Sequence, residues 1–192
     1  MRQDVEKLFN KQLQVLSDRG CSAVIIDSFT KQRDIVIVKM LAVWIKKYAN
    51  MSIKRIAEVD FHLGIPVIPL ACVGLDNLMK LVKLDDNLGQ NTLDPNLVVD
   101  IEKSPNNPYY IFDVLSNNGT QAMRGNDREY SLLTVAEAIA VCAQRNLWMR
   151  SVAAFGSRYR YGSLSNPRVP YVDLYNKKMP ILTYMWLASS SI

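Results

Sequence analysis

The spacing of apolar residues changes once along the chain, near residue 65, and that change limits the fold more than any other feature. Before it, apolar side chains recur at helical intervals: Val5, Leu8, Phe9, Leu13 and Leu16, then Ile37, Leu41, Trp44, Ile45 and Tyr48. Such intervals place a stripe on one face of a helix. After it, short runs rich in β-branched and aromatic residues are divided by prolines, glycines and asparagines, the pattern of strands and turns. Helices followed mostly by strands predict an α+β protein, a largely antiparallel sheet with helices packed on it. The expected organisation is an N-terminal helical segment over residues 1–60 and an α+β domain over 61–192, forming one compact unit.

The first helix is expected over 4–19, with Asp4 at its N-cap and Gly20 at the left-handed position that ends it. A second is expected over 31–48, although the β-branched run 35–38 leaves a strand open at its start, and a short third over 52–59. Residues 65–73 read as a buried strand whose Pro66 and Pro69 favour an edge. Leu75, Leu78, Met79 and Val82 mark two turns of helix, and 85–95 is a polar loop. Residues 109–115 form the clearest strand, followed by a tight turn at Asn117, Asn118 and Gly119. A capping box opens the next helix: Thr134 caps it and Glu137 reaches back, with Val135, Ile139 and Cys142 on one face. Strands over 152–157, 169–175 and 179–187, joined by short connections, close the chain as hairpins.

Several classes of function are excluded by what is missing. The 192 residues are 49% apolar and 21% charged, globular values that disorder does not reach. A chain of this length buries on the order of 70% of its extended surface and needs no staples. Cys21, Cys72 and Cys142 are odd in number and far apart, which fits neither a disulfide framework nor a metal knuckle. They read as buried thiols in a reducing cytosol. The start, MRQDVEKLF, has no apolar signal core, and the longest apolar run, 63–75, is interrupted by two prolines and is too short for a bilayer. The expectation is a cytoplasmic protein with no membrane partner. One histidine, His62, leaves no His-rich metal site. No phosphate loop, dinucleotide turn, zinc-protease helix or nucleophile elbow occurs, so no cofactor and no metal are expected and no catalytic residue is assigned. The Asp85-Asp86-Asn87 stretch has its glycine in the wrong place for a calcium loop, and Asp100, Glu102 and Asp113 read as ordinary strand carboxylates.

Charge is uneven. Residues 1–119 carry 14 basic and 14 acidic side chains, and the last 73 carry 9 basic against 4 acidic, so the whole net charge of +5 lies in the C-terminal part. Seven of those nine cations are arginine. In Ser157-Arg158-Tyr159-Arg160-Tyr161 a strand period of two sets both Arg on one face and both Tyr on the other. Arg168 enters the next strand, so three guanidiniums, Arg158, Arg160 and Arg168, are expected to converge at one end of a hairpin. Arginine forks bind phosphate or carboxylate in bidentate fashion, and Tyr159 and Tyr161 beside them would stack on a flat ligand. Alternating Arg and Tyr also protects an exposed edge strand, and Asp173 stands near enough to pair with the arginines. A charge of +5 without a nucleic-acid module argues against nucleic acid.

The ordered motifs PYYIFDV at 108–114, SLLTVAEAIA at 131–140, FGSR at 155–158, RVPY at 168–171 and PILTYMW at 180–186 resemble a bacterial family of uncharacterised proteins, a domain of unknown function. That family carries PYLxxDV, SPLTxxEGIAL, GSR…RVPALW and PKLGWCWAGNPHTW motifs, and its QxxxLLxxG helix is similar to residues 11–20. The resemblance spans roughly residues 65–187 and implies a fold and a bacterial setting, with no activity attached. The chain departs from the pattern at Ala138, where the family has Gly, and in its tail, which lacks the family's Cys, Asn-Pro and His.

Two functional readings follow. The first is a binding or interaction protein, a homodimer through its apolar helices or edge strand, that meets a small anionic ligand through Arg158, Arg160 and Arg168 with Tyr159 and Tyr161. The alternative is a small metabolic enzyme on a phosphorylated or carboxylated substrate, with His62, Asp113 or Cys142 as the acid or base.

Overall fold

The computed structural model describes residues 2–48, 63–84, 86–114, 121–124, 131–144, 151–161, 168–174 and 179–186; for 47–48, 113–114 and 121–124 the backbone alone is described. The expected third helix over 52–59, His62 and the turn at 117–119 lie outside these residues, as does most of the 161–167 connection. The fold is α+β, opening with helices and continuing as sheet.

Helix α1 spans Arg2–Asp18, α2 Ala23–Thr30 and α3 Arg33–Tyr48. α1 ends at the glycine the sequence offers: Gly20 has φ +84°, its N–H donates to the Ser17 carbonyl at 3.0 Å, and the Cys21 N–H donates to Leu16 at 3.0 Å. That pair of bonds is a Schellman closure, which needs a residue at ease with positive φ. The helix begins two residues earlier than expected, so Asp4 sits in the first turn rather than at the N-cap. α2 was not expected. Its start signal is a single Ser22 in extended conformation, and eight residues are too few for a periodic stripe to declare itself. Residues 35–38 are helical, because burying Val36, Ile37, Met40 and Trp44 outweighs a weak β-branched preference.

The strand expected over 65–73 is shorter. β1 covers Ile65–Val67, and Pro69, at φ −62° and ψ 151°, is the N-cap of α4, Leu70–Met79. Proline lacks the N–H that a continuing strand needs, whereas a helix start does not use it. Cys72 consequently rides on the outer side of a helix and is exposed, against the buried thiol expected.

Eleven further strands are described: β2 Lys83–Leu84, β3 Asn87–Leu88, β4 Gln90–Asn91, β5 Val98–Asp100, β6 Tyr109–Val114, β7 Gln121–Arg124, β8 Ser131–Leu132, β9 Val152–Ala153, β10 Ser157–Tyr159, β11 Arg168–Asp173 and β12 Ile181–Trp186. One sheet runs β1-β6-β7-β8; a second runs β4-β12-β11-β10-β5 with β9 beside β11. The pairings of both are antiparallel except one: β12 lies parallel to β4, with Ile181 opposite Gln90 and Leu182 opposite Asn91. The sheet is therefore mixed. The polar stretch 85–95, expected as a loop, supplies the extra edge, because backbone groups pair whatever the side chains are.

Helix α5, Val135–Gln144, is buried along its whole length and packs on β1, β9, β11, α4 and α1. Its start is the capping box: the Thr134 N–H donates to Glu137 Oε2 at 2.8 Å, and the Glu137 N–H approaches Thr134 Oγ1 at 3.5 Å. The Glu137 carboxylate is fully buried, and Tyr109 donates its hydroxyl to Oε1 at 2.9 Å, tying β6 to the helix. Ser157 Oγ accepts from the Val135 N–H at 2.8 Å, tying β10 to the same end. The strand expected over 152–157 breaks between β9 and β10 to allow this. At the break Gly156 donates to the Leu133 carbonyl at 2.7 Å, and a Cβ there would stand 2.5 Å from the Leu132 oxygen.

Tyr109→Phe removes a hydroxyl donor from the buried Glu137 carboxyl group, and leaving a buried acceptor without its partner costs about 1–3 kcal/mol. Urea unfolding should show a loss of that size with an unchanged slope; a loss below about 0.5 kcal/mol would mean the bond carries no stability.

Candidate ligand-binding site

Three strands decide the site by their register. Tyr159 in β10 stands opposite Arg168 in β11, and Arg168 stands opposite Trp186 in β12. Directly opposed residues share a face, as do residues two apart in one strand. Tyr159, Arg168, Tyr184 and Trp186 thus occupy one face, while Arg158, and Asp173 at the far end of β11, occupy the other. Further along the first face Val172 and Leu182 are fully buried, so Arg168 lies where the core ends.

Aromatic rings surround this guanidinium. Its Cζ is 4.1 Å from the Trp186 ring centroid, 4.6 Å from Tyr184 and 5.0 Å from Tyr161. The rings hold one another: Tyr159 stacks on Tyr161 at 5.9 Å and on Tyr184 at 5.4 Å, and Tyr184 meets Trp186 edge-on at 6.1 Å. A cation over a ring face gains about 0.5–2 kcal/mol, which offsets part of the cost of removing Arg168 from water. Ring faces accept no ordinary hydrogen bond, however. Arg168 is only 5% exposed, and its Nε and Nη1 are buried with no hydrogen-bond partner among the described residues.

The other expected arginines are elsewhere. Arg158 is half-buried and satisfies itself on the backbone, Nη1 donating to the carbonyls of Phe155 at 2.7 Å and Ser157 at 2.8 Å. Arg160 is exposed. The expected convergence of Arg158, Arg160 and Arg168 does not form, because the register sets Arg168 opposite a tyrosine rather than an arginine. Tyr159 and Tyr161 do join Arg168. Tyr159 is buried, its hydroxyl accepting from the Asp94 N–H at 3.4 Å, and Tyr161 is exposed. Asp173 accepts from Ser151 Oγ at 2.9 Å across the sheet from Arg168. Tyr184 and Trp186 were not singled out in the sequence; the signal for them was the i, i+2 aromatic pair in the closing strand.

Of the residues of the enzyme reading, only Cys142 is described with its side chain. Cys142 is buried within α5, His62 lies outside the described residues, and so does the side chain of Asp113. Among the described residues no three His, Cys, Asp or Glu side chains come together as a metal site, and no helix is long and apolar enough to cross a membrane. A concavity of about 230 Å³ lies between the α1–α2 turn and α4 and is lined by Arg19, Cys21, Ser22, Asn77 and Lys80. Its arginine is occupied, donating Nη1 to the carbonyls of Leu81 and Ala143. No family model, curated protein or solved structure matches this chain.

Exposure orders the three thiols. Cys72 is exposed, Cys142 is buried, and Cys21 is half-buried, its thiol pushed up by burial and only partly lowered by the Ser22 backbone. Thiolate is the reactive form, so Cys72 should react first with iodoacetamide at pH 7.5, Cys21 more slowly and with a steep gain as pH rises, and Cys142 only on unfolding. Mass spectrometry of partially alkylated protein reads the order, and early labelling of Cys142 would contradict it. Arg168→Lys discards the flat guanidinium that the rings embrace and should lower stability by about 1–3 kcal/mol, against at most about 0.5 kcal/mol for the exposed Arg160→Ala. Equal effects in urea unfolding would show that the aromatic surround contributes nothing.

Proposed function

We propose that this chain is a binding protein, without bond-making chemistry of its own, that takes an anionic group at Arg168. The observation that carries the reading is the buried guanidinium whose Nε and Nη1 have no partner among the described residues while rings cover its faces. Leaving such donors unpaired costs about 1–3 kcal/mol each, more for a charged group, and a carboxylate or phosphate is the natural acceptor. Trp186 and Tyr161, 48% and 57% exposed, are the rings past which a ligand would reach the guanidinium. The site residues of this reading are Arg168, Tyr161, Tyr184 and Trp186, with Tyr159 as support; Arg158 and Arg160 belong to the other face.

Association as a homodimer would use α3. Ile35, Val38 and Ile45 are exposed at helical spacing, and Ala42 continues the stripe. An antiparallel pairing centred on residue 40 sets Ile35 at the level of Ile45, Val38 at that of Ala42, and Asp34 at that of Lys46, so the stripe and its flanking charges are self-complementary. Exposed apolar stripes of this kind mark association surfaces.

A ligand that binds the native state raises its melting temperature with concentration. Phosphate, acetate and adenosine monophosphate should include at least one anion that stabilises the wild type and the Arg158→Ala/Arg160→Ala double variant alike but not Arg168→Gln. Loss in the double variant with retention in Arg168→Gln would overturn the reading. For the dimer, light scattering at tens of micromolar should give twice the chain mass for the wild type and the chain mass for Val38→Asp; a monomeric wild type removes the proposal.

A further inference from the structure

We infer that the Arg168 site is shaped for a carboxylate carried on a flat ring rather than for a phosphate. The inference rests on the anion-binding reading above and narrows its ligand.

The first ground is charge. Among the charged residues of β5, β10, β11 and β12, two fall on the face that bears Arg168. One is Arg168 itself. The other is Asp100, opposite Ser157 in β5, two strands away and one residue row along; it accepts a hydrogen bond from Ser157 Oγ. Arg158 and Asp173 are on the reverse of the sheet. Among the described residues of these strands, that face carries one positive charge, Arg168, and at longer range the Asp100 carboxyl group. A monoanion gains the full attraction of the guanidinium. A phosphate dianion would still have one cation to neutralise two charges, and would be repelled about twice as strongly by Asp100, in a setting of low dielectric where such terms are large. Phosphate sites ordinarily gather several donors, a second cation or a run of backbone N–H groups. Alternate residues of β11 bond to β12, and of the others Pro170 has no backbone N–H to offer.

The second ground is shape. Among the described residues, three aromatic rings stand against the guanidinium, Trp186, Tyr184 and Tyr161, with Tyr159 behind. The Tyr159 and Tyr161 planes are only 11° apart. A flat ring entering beside Arg168 can stack on Tyr161 as Tyr159 does, and can meet Trp186 face-on or edge-on as Tyr184 does. A saturated ring of equal volume is too thick to do so and makes fewer face contacts. Offset stacking gains about 0.5–1.5 kcal/mol beyond area burial. The carboxylate then lies coplanar with its own ring and edge-on to the guanidinium, the geometry of bidentate pairing.

The probes are benzoate, phenyl phosphate and cyclohexanecarboxylate, titrated by calorimetry and by tryptophan fluorescence at pH 8, where the phosphate is a dianion. Benzoate should bind about tenfold more tightly than either of the others, a difference of about 1.4 kcal/mol. Trp186→Leu should weaken benzoate by a similar factor while leaving the circular dichroism spectrum unchanged, and Arg158→Ala should have no effect. Phenyl phosphate binding as tightly as benzoate would overturn the charge argument while leaving an anion site at Arg168. Cyclohexanecarboxylate binding as tightly would overturn the shape argument alone. Failure of all three to bind the wild type, with Arg168→Gln indistinguishable from it, would overturn both this inference and the anion-binding reading on which it rests.

Discussion

The buried carboxylate of Glu137 is the interaction on which the rest of this structure depends. A fully buried carboxyl group is tolerated only where hydrogen-bond partners meet it, and here the Thr134 backbone and the Tyr109 hydroxyl do so at 2.8 and 2.9 Å. The consequence is positional. Thr134 fixes where α5 begins, Tyr109 fixes β6 against it, and Ser157, bonded to the Val135 N–H, fixes β10 at the same point. Both sheets therefore meet at one helix start. Because all ten residues of α5 are buried, any slip in that start would misplace packing against β1, β9, β11 and α4 together.

The far end of α5 is held by polar contacts of another kind. Arg19 donates Nη1 to the Ala143 and Leu81 carbonyls, and Gln144 donates Nε2 to the Gln12 carbonyl at 3.2 Å. Gln12 in turn donates to the Leu63 carbonyl at 2.9 Å. The last carbonyls of a helix have no partner within it, and a cation there complements the dipole. Burial lowers the affinity of Arg19 for its proton, a sign that it is drawn partly out of water to make these bonds. The N-terminal helices are thus joined to the sheet region by hydrogen bonds as well as by the apolar stripe of Val5, Phe9, Leu13 and Leu16.

What the sequence made legible was local chemistry. Gly20 as a helix stop, Thr134 with Glu137 as a capping box, and strands over 169–175 and 179–187 each rest on one short stretch of chain; the first two are found in place, and the strands form over Arg168–Asp173 and Ile181–Trp186. What it hid depends on distant partners. α2 has no stripe of its own and forms because Phe29 fills the space beside Tyr110, ring centroids 5.2 Å apart. The 85–95 stretch becomes an edge because β12 needs a neighbour, its Gln90 N–H donating to the Pro180 carbonyl at 2.9 Å. The break between β9 and β10 exists to let Gly156 and Ser157 reach the start of α5. None of these needs is written in the residues that answer it.

The candidate site shows the same division most sharply. The sequence supplied its residues, Arg168 with Tyr159 and Tyr161, and the wrong companions, because strand period says which neighbours share a face only within one strand. Between strands a single residue of register reverses the answer. A shift by one would have set Arg168 among Arg158 and Arg160, three like charges on one sheet face, where opposed like charges are destabilising. The register observed sets it instead between Tyr159 and Trp186, whose ring faces are negative and attract a cation. Electrostatics thus favours the pairing that isolates Arg168 from the other arginines. The isolation that makes the strand pairing stable is also what leaves one guanidinium, alone on an aromatic face, with donors to offer.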